Sequence, residues 1–88
     1  MYKIFLHPKA KSAFEKLETN LQERIKNKIA ELKKSPEKGA KHLKYSNFWR
    51  IRVGDYRIIY EIERSKQKVI VLFIGHRRKV YDDFSRLL

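Results

Sequence analysis

Phe14, Leu17, Leu21, Ile25, Ile29 and Leu32 recur every three or four positions, the spacing that lines one face of a helix. Thr19 and Asn20 interrupt this stripe, and both are good N-cap residues. Thr19 with Gln22, or Asn20 with Glu23, has the spacing of a capping box. The pattern predicts two helices, near 9–18 and 21–34, joined as a hairpin with one apolar face. Ser35-Pro36 stops the second helix, and Gly39 lies in the loop beyond it. Ahead of the hairpin, Tyr2 to Leu6 reads as a short strand ended by His7-Pro8.

After the loop the period drops from about 3.6 residues to 2. From Phe48 to Val53, the residues Trp49, Ile51 and Val53 share one face, with Phe48, Arg50 and Arg52 on the other. Gly54-Asp55 is a two-residue hairpin signal. Tyr56 to Glu63 alternates again, setting Tyr56, Ile58, Tyr60 and Ile62 against Arg57, Ile59, Glu61 and Glu63. Arg64 to Gln67 is a polar turn. Val69 to Ile74 is apolar on both faces, as expected of a central strand. The tail from Lys79 reads as a short helix resting on Val80, Phe84 and Leu87 or Leu88. The expected architecture is α+β in the order β-α-α-β-β-β-α: a helix hairpin on an antiparallel-rich sheet. The hairpin covers the Trp49/Ile51/Ile58/Tyr60 face and leaves the opposite face partly open.

At 88 residues the chain makes one domain, residues 1–88. A chain this short buries roughly 60–65% of its unfolded surface, enough for one core. It has no cysteine, so neither a disulfide framework nor a thiolate metal site is available, which suits a reducing cytoplasm. Tyr2 to Leu6 is too short and mixed for a signal-peptide core. The longest apolar run, Val69 to Ile74, falls far short of the ~20 residues a membrane span needs. A soluble, cytoplasmic protein without membrane association is expected.

Charge sharpens the picture. Lys plus Arg total 22 against 10 Asp plus Glu, a net charge of +12, a field that attracts nucleic acid, an anionic membrane surface or an acidic protein. Eleven of the fourteen lysines lie in residues 1–47 with a single arginine, Arg24. The other seven arginines (Arg50, Arg52, Arg57, Arg64, Arg77, Arg78 and Arg86) lie in residues 48–88. Lysine is a mobile point charge, whereas the arginine fork grips phosphate oxygens in pairs. The first half thus supplies general attraction and the second supplies geometry.

With a two-residue turn at Gly54-Asp55, Val53 faces Tyr56 and Arg52 stands directly opposite Arg57. Like charges so placed destabilise a sheet unless an anion sits between them. The next strand returns Gly75-His76-Arg77 beside Tyr56 and Arg57. Arg52, Arg57, His76 and Arg77 are therefore expected at one end of the sheet, with Arg50 one step along. The alternative is that twist spreads these arginines and that Asp55, Glu61 or Asp82 pairs with them at little energetic gain.

Other chemistries lack their residues. His7, His42 and His76 are scattered, without metal-ligand spacing. Three glycines make no phosphate-binding loop. None of the five serines has a nucleophile-elbow context. What remains is phosphate chemistry that needs no metal and no cofactor: RNA brings its own nucleophile, the 2′-OH, and the protein supplies positioning and charge stabilisation. Arginine stabilises charge but cannot act as a base near neutrality. Tyr81, His76 and Lys79 are the proton carriers in reach.

The stretch RIRVGDYRIIYEI (Arg50 to Ile62), followed by GHRRKVY (Gly75 to Tyr81), strongly resembles the RelE family of bacterial and archaeal toxins, within the RelE/ParE superfamily. The likeness runs over essentially the whole chain, including the basic segment Lys41-His42-Leu43-Lys44. It implies a microbial-ribonuclease-like fold and a ribosome-dependent endoribonuclease, an mRNA interferase that cuts mRNA in the ribosomal A site and inhibits translation. It also implies a cognate acidic antitoxin of the RelB type, with operator DNA met only through the toxin–antitoxin complex. By this resemblance Arg50 and Arg52 are the basic pair of the first hairpin strand, and Arg57 is the arginine after the turn. Arg77 is the late-strand arginine and Tyr81 the catalytic tyrosine. Arg57 and Arg77 would hold the scissile phosphate, while Arg50, Arg52, Lys41, Lys44 and Arg78 would support the substrate backbone. Tyr81, or else His76, would take the 2′-OH proton. Some relatives have Lys at the positions of Arg50 and Arg52. Others use a Glu and a His as acid and base; the Glu has no counterpart here, and His76 is the candidate for the His. Related toxins of the same fold poison DNA gyrase instead, and a non-catalytic nucleic-acid-binding module acting with an antitoxin is a third reading.

Overall fold

A computed structural model describes residues 1–76 of the chain. Its elements are β1 (Lys3–Leu6), α1 (Pro8–Glu15), α2 (Thr19–Lys34), β2 (Lys41–His42), β3 (Phe48–Val53), β4 (Tyr56–Glu63) and β5 (Lys68–His76). The strands form one sheet in the order β1-β5-β4-β3-β2. β2 through β5 run antiparallel to their neighbours, and β1 joins the far side parallel to β5. The α+β architecture is as expected. The two-residue strand β2 is an addition, pairing Lys41 with Arg50 and His42 with Trp49. The helix expected from Lys79 lies outside the described residues.

Local chemistry sets the helix ends. Pro8 occupies the first turn of α1, where its missing N–H costs nothing, and the His7 imidazole caps the helix by accepting from the Lys9 amide at 3.1 Å. α1 stops at Glu15, earlier than expected, because the Lys16 and Leu17 amides close a tight turn onto the Ala13 and Phe14 carbonyls. α2 starts at Thr19 with Glu18 as its N-cap residue and no side-chain cap, so neither capping box forms. Gln22 does different work: its amide nitrogen donates to the Phe14 carbonyl at 2.9 Å, tying α2 to the end of α1.

The stripe of α2 then points at the sheet. Ala10, Ile25 and Leu32 are buried against Ile51, Val53, Ile58, Tyr60, Ile62, Val69, Val71 and Ile74, with Phe14, Leu17, Leu21, Ile29 and Trp49 around them. Full burial of one such aliphatic side chain contributes about 1.5–3 kcal/mol. At the centre, the Tyr60 hydroxyl donates to the Pro36 carbonyl at 2.5 Å, and burial pushes its phenol well above the ordinary value.

An irregularity in the β4–β5 ladder shapes the other face. Ile59 pairs with Phe73 and Tyr60 with Val71, so Leu72 is an extra residue on β5. The bulge keeps Val69, Val71 and Ile74 on the helix side and turns Phe73 to the opposite face. There Ile59 and Phe73 form a second cluster with Leu43, Phe48 and Leu72. The face expected to lie partly open therefore carries its own small apolar floor.

Candidate nucleic-acid interface

The register of the β3–β4 hairpin decides where its cations sit. Gly54 adopts φ +59°, a left-handed conformation that a residue without a side chain takes at no steric cost. The two-residue turn that results sets Val53 against Tyr56 and Arg52 directly against Arg57. Arg50 lies on the same face of β3, two residues away, and the next strand sets Lys41 against it. Two like-charged cross-strand pairs, Lys41/Arg50 and Arg52/Arg57, thus share the face away from the helices, each costing up to about 1 kcal/mol.

Arg57 is the most unusual of the four. It is 6% exposed, the buried charged residue among those described. Its Nη1 donates to the Gly54 and Tyr56 carbonyls at 3.5 and 3.3 Å, long bonds to neutral acceptors, and its buried Nε has no acceptor. Among the described residues no carboxylate pairs with Arg52 or Arg57. Glu23, Glu31 and Glu37 are engaged elsewhere, with Lys26, Lys28 and Arg64. Neither Asp55 nor Glu61 pairs with Arg52 or Arg57, and Asp82 lies outside the described residues. A cation held out of water with weak partners is costly unless an anion completes it. A phosphate does so, since the guanidinium fork matches its oxygens.

The remaining candidates divide. Lys44 is exposed on the turn after β2. That turn is held by the Ser46 hydroxyl, which donates to the Leu43 carbonyl at 2.7 Å and accepts from the Phe48 amide at 3.1 Å. The His42 imidazole also lies 2.6 Å from the Ser46 carbonyl. The same turn presents Tyr45 to solvent at φ 61°, beside Lys44, a residue that no motif or periodicity singles out. His76 reaches the expected end of the sheet, but on the other face. It pairs with Tyr56, and the two rings meet edge to face at 6.0 Å, so alternation along β5 turns His76 to the helix side while Gly75 stands opposite Arg57. The sheet end does not gather His76 with Arg52 and Arg57 on one face. Arg77, Arg78 and Tyr81 lie outside the described residues.

A helix hairpin packs on one face of a five-stranded sheet, and the other face carries a row of cations, Lys41, Arg50, Arg52 and Arg57, the architecture of a small basic α+β domain. The comparisons agree. Residues 4–81 match the model of the ParE toxin of type II toxin–antitoxin systems, so the chain belongs to that toxin family, within the RelE/ParE superfamily. The chain is similar to the isolated E. coli RelE toxin, at 26% identity and a TM-score of 0.79, covering 100% of both chains. It is likewise similar to a chain of the intact E. coli RelBE toxin–antitoxin complex, at 25% identity and 0.79, covering 86% of this chain and 96% of that one. For the RelB–RelE complex of Methanococcus jannaschii the values are 28% and 0.74, covering 91% and 98%. No match was found among curated protein sequences.

Proposed function

We propose that this toxin is a ribosome-dependent endoribonuclease that cuts mRNA in the A site. The observation that supports it most directly is the buried Arg57 guanidinium, opposite Arg52 and without an acidic partner among the described residues, on a face that also carries Lys41 and Arg50. In this reading Arg57 receives the scissile phosphate, joined by Arg77. The 2′-OH of the preceding ribose attacks the phosphorus as its proton passes to a base, and the 5′ oxygen leaves and is protonated. The products are a 2′,3′-cyclic phosphate and a 5′-OH. Charge builds on the non-bridging oxygens at the crowded transition state, which is where fixed guanidinium donors act most strongly. Since His76 faces the helix side, Tyr81 takes the base role. Arg50, Arg52, Lys41, Lys44 and Arg78 hold the strand. A cognate acidic antitoxin of the RelB type restrains the toxin in the cytoplasm; the +12 charge and the likeness to chains from RelB–RelE complexes support that partner. Operator DNA is reached through that complex.

Primer extension on translating ribosomes tests the reading. Wild-type protein is expected to produce discrete stops within codons, and Arg57→Ala to abolish them. Cleavage is expected to survive EDTA wherever the ribosomes stay intact; loss of cleavage on intact ribosomes would overturn the metal-free mechanism. One observation favours a second reading: the matching family model is that of a ParE toxin. On that reading the protein poisons DNA gyrase, blocks supercoiling and leaves translated mRNA whole, so a supercoiling assay beside the primer extension separates the two.

A further inference from the structure

β1 is shorter than β5, and the difference leaves a cleft. β1 pairs with Lys68 to Val71 only; the His7 amide makes the last bond, to the Val71 carbonyl, and Pro8 then turns the chain into α1. Among the described residues, the end of β5, from Leu72 to His76, therefore has no strand on that side. Between this edge and α1 lies a space of about 430 Å³, within the size range of small-molecule sites. Lys9, Ser12 and Lys16 reach it from successive turns of α1, and Tyr56 and His76 from the strand ends. Phe73, Ile74, Ala13 and Leu17 complete an apolar lining. Lys16 offers charge to a phosphate, and the Tyr56–His76 pair offers aromatic surface to a base. Lys9 Nζ already lies 5.7 Å from the Phe73 ring centroid, so cationic and aromatic groups are adjacent there. Gly75 lines the cleft and is also the direct cross-strand partner of Arg57, so the cleft lies at the sheet end whose opposite face carries the arginine pair, and a strand reaches both by passing over Gly75, which has no side chain to block it.

We infer that this cleft takes one nucleotide of the RNA strand, its base against Tyr56 and His76 and its phosphate on Lys16. It thereby selects the base next to the scissile linkage. The inference rests on the RNA-cleaving reading for its biological meaning, but the site can be probed without cleavage. Titrate the full chain with adenosine and uridine 3′-monophosphates, following amide NMR signals, with inorganic phosphate as the control. The nucleotides are expected to shift Ser12, Lys16, Gly75 and His76, and phosphate alone to bind at least about tenfold more weakly, as loss of one stacked base implies. Ser12→Trp, an exposed position on α1, fills the cleft and is expected to weaken nucleotide binding by a similar factor. The same variant is expected to flatten the base preference at cleavage sites while Arg57-dependent cutting continues. Equal affinity for phosphate and nucleotide, or shifts confined to Lys41, Arg50, Arg52 and Arg57, would overturn the cleft assignment. So would a Ser12→Trp protein with unchanged binding and preference. Nucleotide binding in the cleft by a protein that never cuts mRNA would leave this site standing and remove the ribonuclease reading.

Discussion

Arg57 faces Arg52 across the β3–β4 ladder, and its guanidinium is buried with two long bonds to neutral carbonyls. Folding gains little from such an arrangement. Arg57→Met keeps the stem's volume and removes the buried cation, so stability is expected to change by between 0 and about 2 kcal/mol in the favourable direction. Cleavage is expected to fall on the order of 10²–10³-fold, the cost of one transition-state donor. Urea denaturation and primer extension on the same preparation check both halves. A variant destabilised by more than about 1 kcal/mol would mean that Arg57 is a structural residue with neutral partners adequate to its charge.

Lys41 and Arg50 extend that row to the sheet edge. If the row tracks a phosphate backbone, each cation releases about 0.7 counterion equivalents on binding single-stranded RNA. Lys41→Gln is therefore expected to lower the slope of log affinity against log salt by about that amount, with little change in sequence preference. Filter binding of a short oligoribonucleotide between low and moderate salt measures the slope. An unchanged slope would take Lys41 out of the RNA path.

Tyr60 makes stability pH-dependent at the alkaline end. Burial raises the folded-state pKa of its phenol above the unfolded value, so the unfolded chain loses the proton first. Its contribution is fully present below about pH 10 and declines as pH rises beyond it, where the unfolded state binds fewer protons. Urea melts are expected to show a steeper loss of stability between pH 9 and 11 in wild type than in Tyr60→Phe, the interval being chosen around the ordinary tyrosine value of about 10. At neutral pH the same substitution removes the bond to Pro36 and costs about 1–3 kcal/mol, because a buried carbonyl is left without its donor.

How far the sequence reveals this protein depends on the range of the interactions involved. The alternation through Phe48–Val53 and Tyr56–Glu63, with Gly54-Asp55 between, dictates both the hairpin and its register, so the opposition of Arg52 and Arg57 was readable from two local signals. Features set by long-range contact were not. The parallel β1–β5 pairing, the two-residue β2 and the bulge at Leu72 carry no local signature. The bulge in turn decides which side Phe73 occupies. His76 stands at the sheet end beside Tyr56, as the hairpin register implies, and strand alternation then puts it on the Tyr56 face rather than with Arg57. The capping boxes failed for a related reason: Gln22 is drawn to the Phe14 carbonyl by the hairpin geometry, a partner its own helix does not supply. Burial of Arg57 is likewise invisible to periodicity.

Gly54 is the point on which the arginine register turns. An alanine there must hold φ near +59°, which costs roughly 1–2 kcal/mol for a residue with a Cβ. The added Cβ would also meet the Arg24 guanidinium at 3.3 Å, but that group is the end of a flexible side chain and can move aside. Backbone strain should therefore dominate. Gly54→Ala is expected to lower Tm by about 4–8 °C per kcal/mol lost in a domain of this size. Adding Arg24→Ala is expected to restore less than about 0.5 kcal/mol of it in a double-mutant cycle. Gly54→Asn, which tolerates the left-handed region better, is expected to lose less. If Arg24→Ala rescued the alanine variant instead, crowding against α2 would be the controlling term. The turn's conformation would then be free to change without disturbing the opposed arginines.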